Sequence, residues 1–144
     1  MTTVQNILRR KGHGVYSVSP DTTVTVALEL MLEKDIGALM VIQDGALAGI
    51  FSERDFARKI ILNGRKTLEA KVRDLMTSDV ITVTPDQSID ECMVLMTTHR
   101  IRHLPVIENR KVTGIVSIGD AVAALNSEKE QLIVQLENYI TGAR

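Results

Sequence analysis

Two short stretches of the chain carry the same pair of chemically useful residues at the same spacing. GIFSERD (Gly49 to Asp55) and GIVSIGD (Gly114 to Asp120) both read glycine, isoleucine, an apolar residue, serine, two variable residues, aspartate. At a strand-to-helix junction, a hydroxyl and a carboxylate three residues apart have two uses. They can cap the helix, because its first N–H groups lack partners and favour Ser and Asp. They can also hold a ligand. The free N–H groups and positive potential of a helix N-terminus take an anion, and the serine adds a donor. An aspartate one turn in can accept hydrogen bonds from the vicinal hydroxyls of a ribose. The preceding glycine admits a ligand or a neighbouring backbone at close range. Spacing alone leaves both readings open.

Other chemistries find little material. The chain has three histidines, His13, His99 and His103, and a single cysteine, Cys92. This excludes an intrachain disulfide, and no metal-ligand spacing is present. There is no P-loop lysine motif and no Ser/His/Asp set with a nucleophile elbow. A nucleotide site without a general base or metal ligands binds and releases, so no enzymatic activity, catalytic cofactor or metal is expected. With 17 basic against 18 acidic residues, the large cationic field of a general nucleic-acid or membrane-surface binder is missing. No apolar run is long enough to span a bilayer. The start, MTTVQNILRRKG, lacks the apolar core of a secretory signal, and a reducing cytoplasm is expected. Cys92 falls in an apolar helical pattern and reads as a small buried hydrophobe.

The elements that must position the two motifs come from a duplication. Shifted by 65 positions, Val15 to Lys59 lies over Val80 to Ala124 without a gap, and 14 of 45 pairs are identical. A period this long is a duplicated small domain. Allowing three inserted residues in RRKGHG, read as a turn, VQNIL (Val4 to Leu8) answers VRDLM (Val72 to Met76). Each copy opens with a β-rich run, VYSV or VITV, stopped by Pro-Asp. A helical pattern follows: Val24, Ala27, Leu28, Met31 and Leu32, answered by Ile89, Cys92, Met93 and Met96. Ser88 and Glu91 form a capping-box pattern at the start of the second of these helices. ALMVI and HLPVI read as strands buried on both faces, with hairpin turns at Asp44-Gly45 and Asn109-Arg110. LAGIF and VTGIV follow, and each Ser-x-x-Asp opens a closing helix. The predicted order is β-α-β-β-α, twice, a mixed α/β (α+β) fold. At 144 residues the chain should bury about two thirds of its unfolded surface. Neither half could do so alone, so the copies are expected to pack sheet to sheet about a pseudo-twofold axis, with both motifs facing the junction.

The duplicated unit, the D-x-x-(V/I)-x-x-(A/C)-x-x-x-M helix, IRHLPVI and GIVSIGD together resemble a tandem pair of CBS domains, the Bateman module. The resemblance covers essentially the whole chain. It implies a regulatory sensor that binds an adenosine compound between the repeats: AMP, ADP, ATP, NAD(H) or, ranked behind these, S-adenosylmethionine. It also implies residue roles. Asp120 would hold the ribose hydroxyls and Ser117 the phosphate. Ile101, Pro105 and Ile81 would sandwich the adenine, with backbone near Thr77 reading its edge. Arg102 and His103 match a polar pair that faces phosphate, although an exposed strand edge would also account for them. The first copy would offer Ser52 and Asp55, with Tyr16, Ile36 and Ala38 around the base. There Gly37, Ala38 and Met40 replace Arg102, His103 and Pro105, so that copy lacks its own cations unless Arg54 reaches in. The Asp120 site is therefore expected to be the stronger one for phosphorylated ligands.

The expected divisions are an arm and first domain at 1–68, a second domain at 69–126, and an appended amphipathic helix at 127–144. In the stretch after Ala124, Leu125, Leu132, Leu136 and Tyr139 or Ile140 share a face, and Gly142 is a stop signal. ILNGRKTLEAK reads as the linker. The resemblance implies a homodimer and a regulated protein partner, unnamed by the sequence. The alternative to a sensor is a ligand-free interaction scaffold in which both Ser-x-x-Asp pairs only cap helices.

Overall fold

The computed structural model describes residues 1–141. They form a mixed α+β structure: α1 (Val4–Lys11), β1 (Ser17–Val18), α2 (Val24–Lys34), β2 (Ala38–Gln43), β3 (Ala46–Ser52), α3 (Glu53–Asn63), a 3₁₀ turn (Gly64–Glu69), α4 (Val72–Leu75), α5 (Ile89–His99), β4 (His103–Glu108), β5 (Lys111–Ser117) and α6 (Ile118–Thr141). The expected Gly142 stop lies outside the described residues.

The chain folds into two compact units. One comprises Met1–His13, Thr82–Ile107 and the described residues from Gly114 to Thr141. The other comprises Gly14–Ile81 and Glu108–Thr113. This division crosses the sequence ranges 1–68 and 69–126. The arm before the first repeat lies in the unit of the second repeat, and the segment before the second repeat lies in the unit of the first.

Backbone chemistry explains the exchange. In the first of these units, Val4 N donates to Gln87 O and Gln5 N to Pro85 O, both at 2.8 Å, and Ile89 N donates to Thr2 O at 3.0 Å. In the other, Val72 N donates to Thr22 O at 2.8 Å, Arg73 N to Pro20 O at 3.0 Å and Val24 N to Ala70 O at 2.9 Å. Each short helix thus docks its unsatisfied first N–H groups on the carbonyls after the Pro-Asp of the opposite repeat. The pairing Val4/Val72 and Pro85/Pro20 is the register expected from the duplication.

In the unit holding α2, β2 pairs antiparallel with β3, and β1 runs parallel to β2 on its other side. Val24, Ala27 and Met31 of α2 meet Leu39, Val41, Phe51, Val72 and Leu75 in its core. The turn at Asp44-Gly45 has both residues at positive φ (53° and 79°), the conformation that matches the twist of a tight hairpin. In the other unit the core comprises Val4, Ile7 and Leu8 of α1, Ile89, Cys92 and Met96 of α5, Leu104, Val106, Val116 and Ala121. Asn109 and Arg110, also at positive φ (51° and 66°), turn β4 into β5. As expected, β2 is buried through most of its length, and β4 at its Leu104, Pro105 and Val106.

Five local expectations are corrected. VYSV contributes only Ser17–Val18 as strand, and VITV only a single parallel bridge, Val83 to Val106. The β-branched run has just one neighbour to pair with and leaves it at the Pro-Asp turn. Leu32 is exposed at the outer face of α2. RRK is not a turn: α1 continues through Lys11 and stops at Gly12, whose N–H bonds Leu8 O. The linker is ordered, as the end of α3 and the 3₁₀ turn. The tail is also not a separate helix, since α6 runs unbroken from Ile118 to Thr141.

Candidate functional site

Ser117 closes β5, and Asp120 sits in the first turn of α6. Asp120 N donates to Ser117 Oγ at 3.1 Å, and Ser117 N donates to Asp120 Oδ2 at 2.8 Å. These reciprocal bonds form a capping box, so the pair performs the capping role. A third group joins them. Lys11 Nζ, from the last residue of α1, donates to Asp120 Oδ2 at 2.7 Å and to Ile115 O at 2.9 Å. The Lys11 and Asp120 side chains retain 32% and 23% of their exposure, so the pair faces solvent. Burial pushes the Asp120 carboxyl up. The hydrogen bonds from Lys11 and Ser117, with the Lys11 charge, outweigh that and hold it below its ordinary value, ionised.

The first-repeat motif is built alike. Ser52 N and Oγ both donate to Asp55 Oδ2 at 2.9 Å, and Asp55 N donates to Ser52 Oγ at 3.2 Å. Thr77 Oγ1 donates to Asp55 Oδ1 at 3.3 Å, and Thr77 exchanges backbone bonds with Ile50 at 2.9 and 3.0 Å. Each aspartate is therefore met by a residue of the exchanged segment: a lysine at Asp120, a threonine at Asp55.

The glycines of the two motifs make room for those segments. A β-carbon at Gly49 would stand 2.8 Å from both Met76 Sδ and Thr77 O. One at Gly114 would stand 2.6 Å from Leu8 Cδ2. The close approach that each glycine permits is to protein.

The remaining candidates divide by unit. Ile101, Arg102, His103 and Pro105 accompany Ser117 and Asp120; Tyr16, Ile36, Ala38, Arg54, Thr77 and Ile81 accompany Ser52 and Asp55. Thr77 and Ile81, expected beside Asp120, belong to the other unit, because α4 docks on the first repeat. The loop before β4 is tied to the site, with Ile118 N donating to Arg102 O at 2.8 Å, as Glu53 N donates to Gly37 O at 3.1 Å in the first repeat. The Arg102 side chain is exposed, His103 and Ile101 are half-buried, and Pro105 and Ala38 are buried. Arg54 is exposed on α3, and the ammonium of Lys34 stands 5.3 Å from the Tyr16 ring. Sequence reasoning missed Lys11. It lies 109 positions from its partner, and nothing in RRKGHG marks one cation above its neighbours.

A groove of about 110 Å³ runs beside the pair, between α1 and α6, edged by Asn6, Arg10, Lys11, Asp120, Ser127 and Gln131. It is well short of the ~300 Å³ at which small-molecule sites begin. Among the described residues no three His, Cys, Asp or Glu side chains gather to hold a metal ion, and no helix is long and apolar enough to cross a membrane.

The family model of the CBS domain matches the chain twice, at residues 4–62 and 72–127. The chain is a pair of CBS domains. Each match begins at the short helix that the units exchange. The pair is 41% identical to the CBS domain-containing protein CBSX3, mitochondrial, of Arabidopsis thaliana, over 98% of this chain and 73% of that one. The crystal structure of a CBS-domain containing protein, ATU1752 from Agrobacterium tumefaciens, matches at a TM-score of 0.83 and 39% identity, over 85% of this chain and 92% of that one. The CBS domain pair of protein MJ0100, solved in complex with 5-methylthioadenosine and S-adenosyl-L-methionine, shares the fold at a TM-score of 0.79 and 24% identity, over 89% and 98% of the two chains.

Proposed function

We propose that this CBS pair is a regulatory sensor for an adenosine compound (AMP, ADP, ATP or NAD(H)) that signals to a protein partner through a shift between conformations. The observation that carries the reading is the Asp120 carboxylate: ionised, partly exposed, and fixed by the first turn of α6 beside a cation. An ionised carboxylate suits the two hydroxyls of a ribose, and the adjacent helix N-terminus and Lys11 suit a phosphate. Ser117, Arg102, His103, Ile101, Pro105, Ile81, Thr77, Ser52, Asp55, Arg54, Tyr16, Ile36 and Ala38 are the further residues proposed to bind ligand. The reading draws support from the fold, in which a distant CBS pair holds adenosine compounds.

No chemistry is assigned to the protein; the ligand acts by favouring one of two states, which a partner reads. A reducing, cytoplasmic setting suits the buried free thiol of Cys92. A homodimer suits the exposed Leu132, Leu136, Tyr139 and Ile140 along α6.

Calorimetry of the protein with AMP, ATP, NADH and S-adenosylmethionine, repeated on Asp120→Asn, tests the reading. Saturable binding of at least one of these compounds, weakened in the variant, is the expected result. Absence of binding in the folded protein, or binding untouched by the substitution, would overturn it. The second reading, a ligand-free scaffold, is favoured by the completed capping boxes at Ser117/Asp120 and Ser52/Asp55. It predicts that Asp120→Asn changes stability and no ligand response.

A further inference from the structure

The cation at Asp120 comes from a segment far away in sequence, and its placement bears on which adenosine compound the site takes. The bonds that Lys11 and the Ser117 backbone donate to Asp120 both fall on Oδ2. A ligand hydroxyl approaching from the Oδ1 side would leave Lys11 in place. Lys11 is also anchored to Ile115 O, a neutral acceptor, so its ammonium does not depend on Asp120 alone. Lys11 offsets the carboxylate charge, and Arg10 edges the groove beside the pair. A ribose that shares the carboxylate would have a partly exposed ammonium beside it, two of whose three donors are taken by Asp120 and Ile115.

We infer that Lys11 is the specificity-determining residue of this site, selecting anionic, phosphorylated adenosine compounds over the sulfonium-bearing S-adenosylmethionine. The inference rests on the sensor reading above and deepens it. A phosphate gains a charge-assisted bond from the ammonium, whereas a sulfonium meets like charge. The first repeat provides the internal contrast. At Asp55 the exchanged segment supplies the Thr77 hydroxyl instead, which donates to Oδ1 and carries no charge.

The test compares wild type, Lys11→Met and Lys11→Arg by calorimetry with AMP and with S-adenosylmethionine, each variant first checked for a native thermal transition. Lys11→Met should weaken AMP by about tenfold or more, the range of a lost hydrogen bond to a charged group. It should leave S-adenosylmethionine equal or tighter, and Lys11→Arg should retain the preference for AMP. If Lys11→Met weakens both ligands alike, the lysine only braces Asp120 and the inference falls while the sensor reading stands. If Lys11→Met changes neither, the inference falls in the same way. If the wild-type protein binds neither compound, the inference falls, and titrations with ATP and NADH decide the sensor reading separately. Should Lys11→Met lose its native transition, Lys11→Gln and the salt dependence of wild-type AMP binding decide: affinity indifferent to salt would overturn the role of the charge.

Discussion

Leu8 closes over Gly114. The α-carbon of that glycine is approached so nearly that an added methyl group would fall within 2.6 Å of the leucine side chain. Met76 and the Thr77 carbonyl cover Gly49 in the equivalent way, at 2.8 Å. The glycine in each motif thus records where a segment from outside the repeat must dock. The two substitutions should differ in severity. Gly49→Ala pushes against backbone and should destabilise by about 3 kcal/mol, whereas Gly114→Ala pushes against the buried side-chain end of Leu8, which can shift only within the core, and should cost about 2 kcal/mol. Urea midpoints of the two variants check the order, and an equal effect would count against the backbone contact.

The Lys11–Asp120 pair should make stability sensitive to acid. The Asp120 carboxyl is held below its ordinary 3.8 in the folded state, so the folded form binds that proton less readily than the unfolded chain. Its contribution is fully present above the unfolded value and is lost as pH falls through the lowered folded value. Urea midpoints measured from about pH 5 down to about pH 2 should fall less steeply in Lys11→Met and Asp120→Asn than in wild type. Parallel profiles would argue that the pair is not formed in solution.

Cys92 should be chemically silent in the native protein. It is wholly buried on α5, and burial, aided by the nearby Glu91 charge, pushes its thiol up to about 11. At about pH 8 the reactive thiolate is scarce and enclosed. Labelling by a disulfide reagent should proceed only as fast as the protein opens, and should accelerate sharply through the urea transition. Immediate labelling of the folded protein would refute the packing of α5.

The turn at Asn109-Arg110 carries strain that can be relieved. Arg110 sits at φ 66°, where a side chain costs roughly 1–2 kcal/mol relative to glycine. Arg110→Gly should therefore raise stability by about 1 kcal/mol, less the extra freedom that glycine has in the unfolded chain. A higher urea midpoint at unchanged slope is the expected observation.

Much of this fold was legible in residue patterns. The Asp44-Gly45 turn, the buried runs of β2 and β4 and the periodicity of α2 and α5 follow from local chemistry that the structure retains. The register between Val4 and Val72 was legible because both precede the same sequence of elements. Which half each docks on was not. Leu8 and Met76 are both apolar residues ahead of a β-rich run, and either glycine could receive either one. This ambiguity left open which aspartate Thr77 meets, and its hydroxyl donates to Asp55. It also hid Lys11, one of three successive cations whose partner is set by docking alone. Leu32 followed the helical period and still faces outward, because the period gives a face and only the neighbour decides its width.

The exchanged helices also bear on synthesis and handling of the chain. Residues 14–81 bring together nearly all of one unit in a single continuous stretch, whereas residues 1–13 can reach their place only after the segments beyond Thr82 have emerged. Val4, Ile7 and Leu8 must therefore wait, uncovered, while most of the polypeptide is made. A tag or deletion at the amino end would be felt in the carboxyl-terminal half.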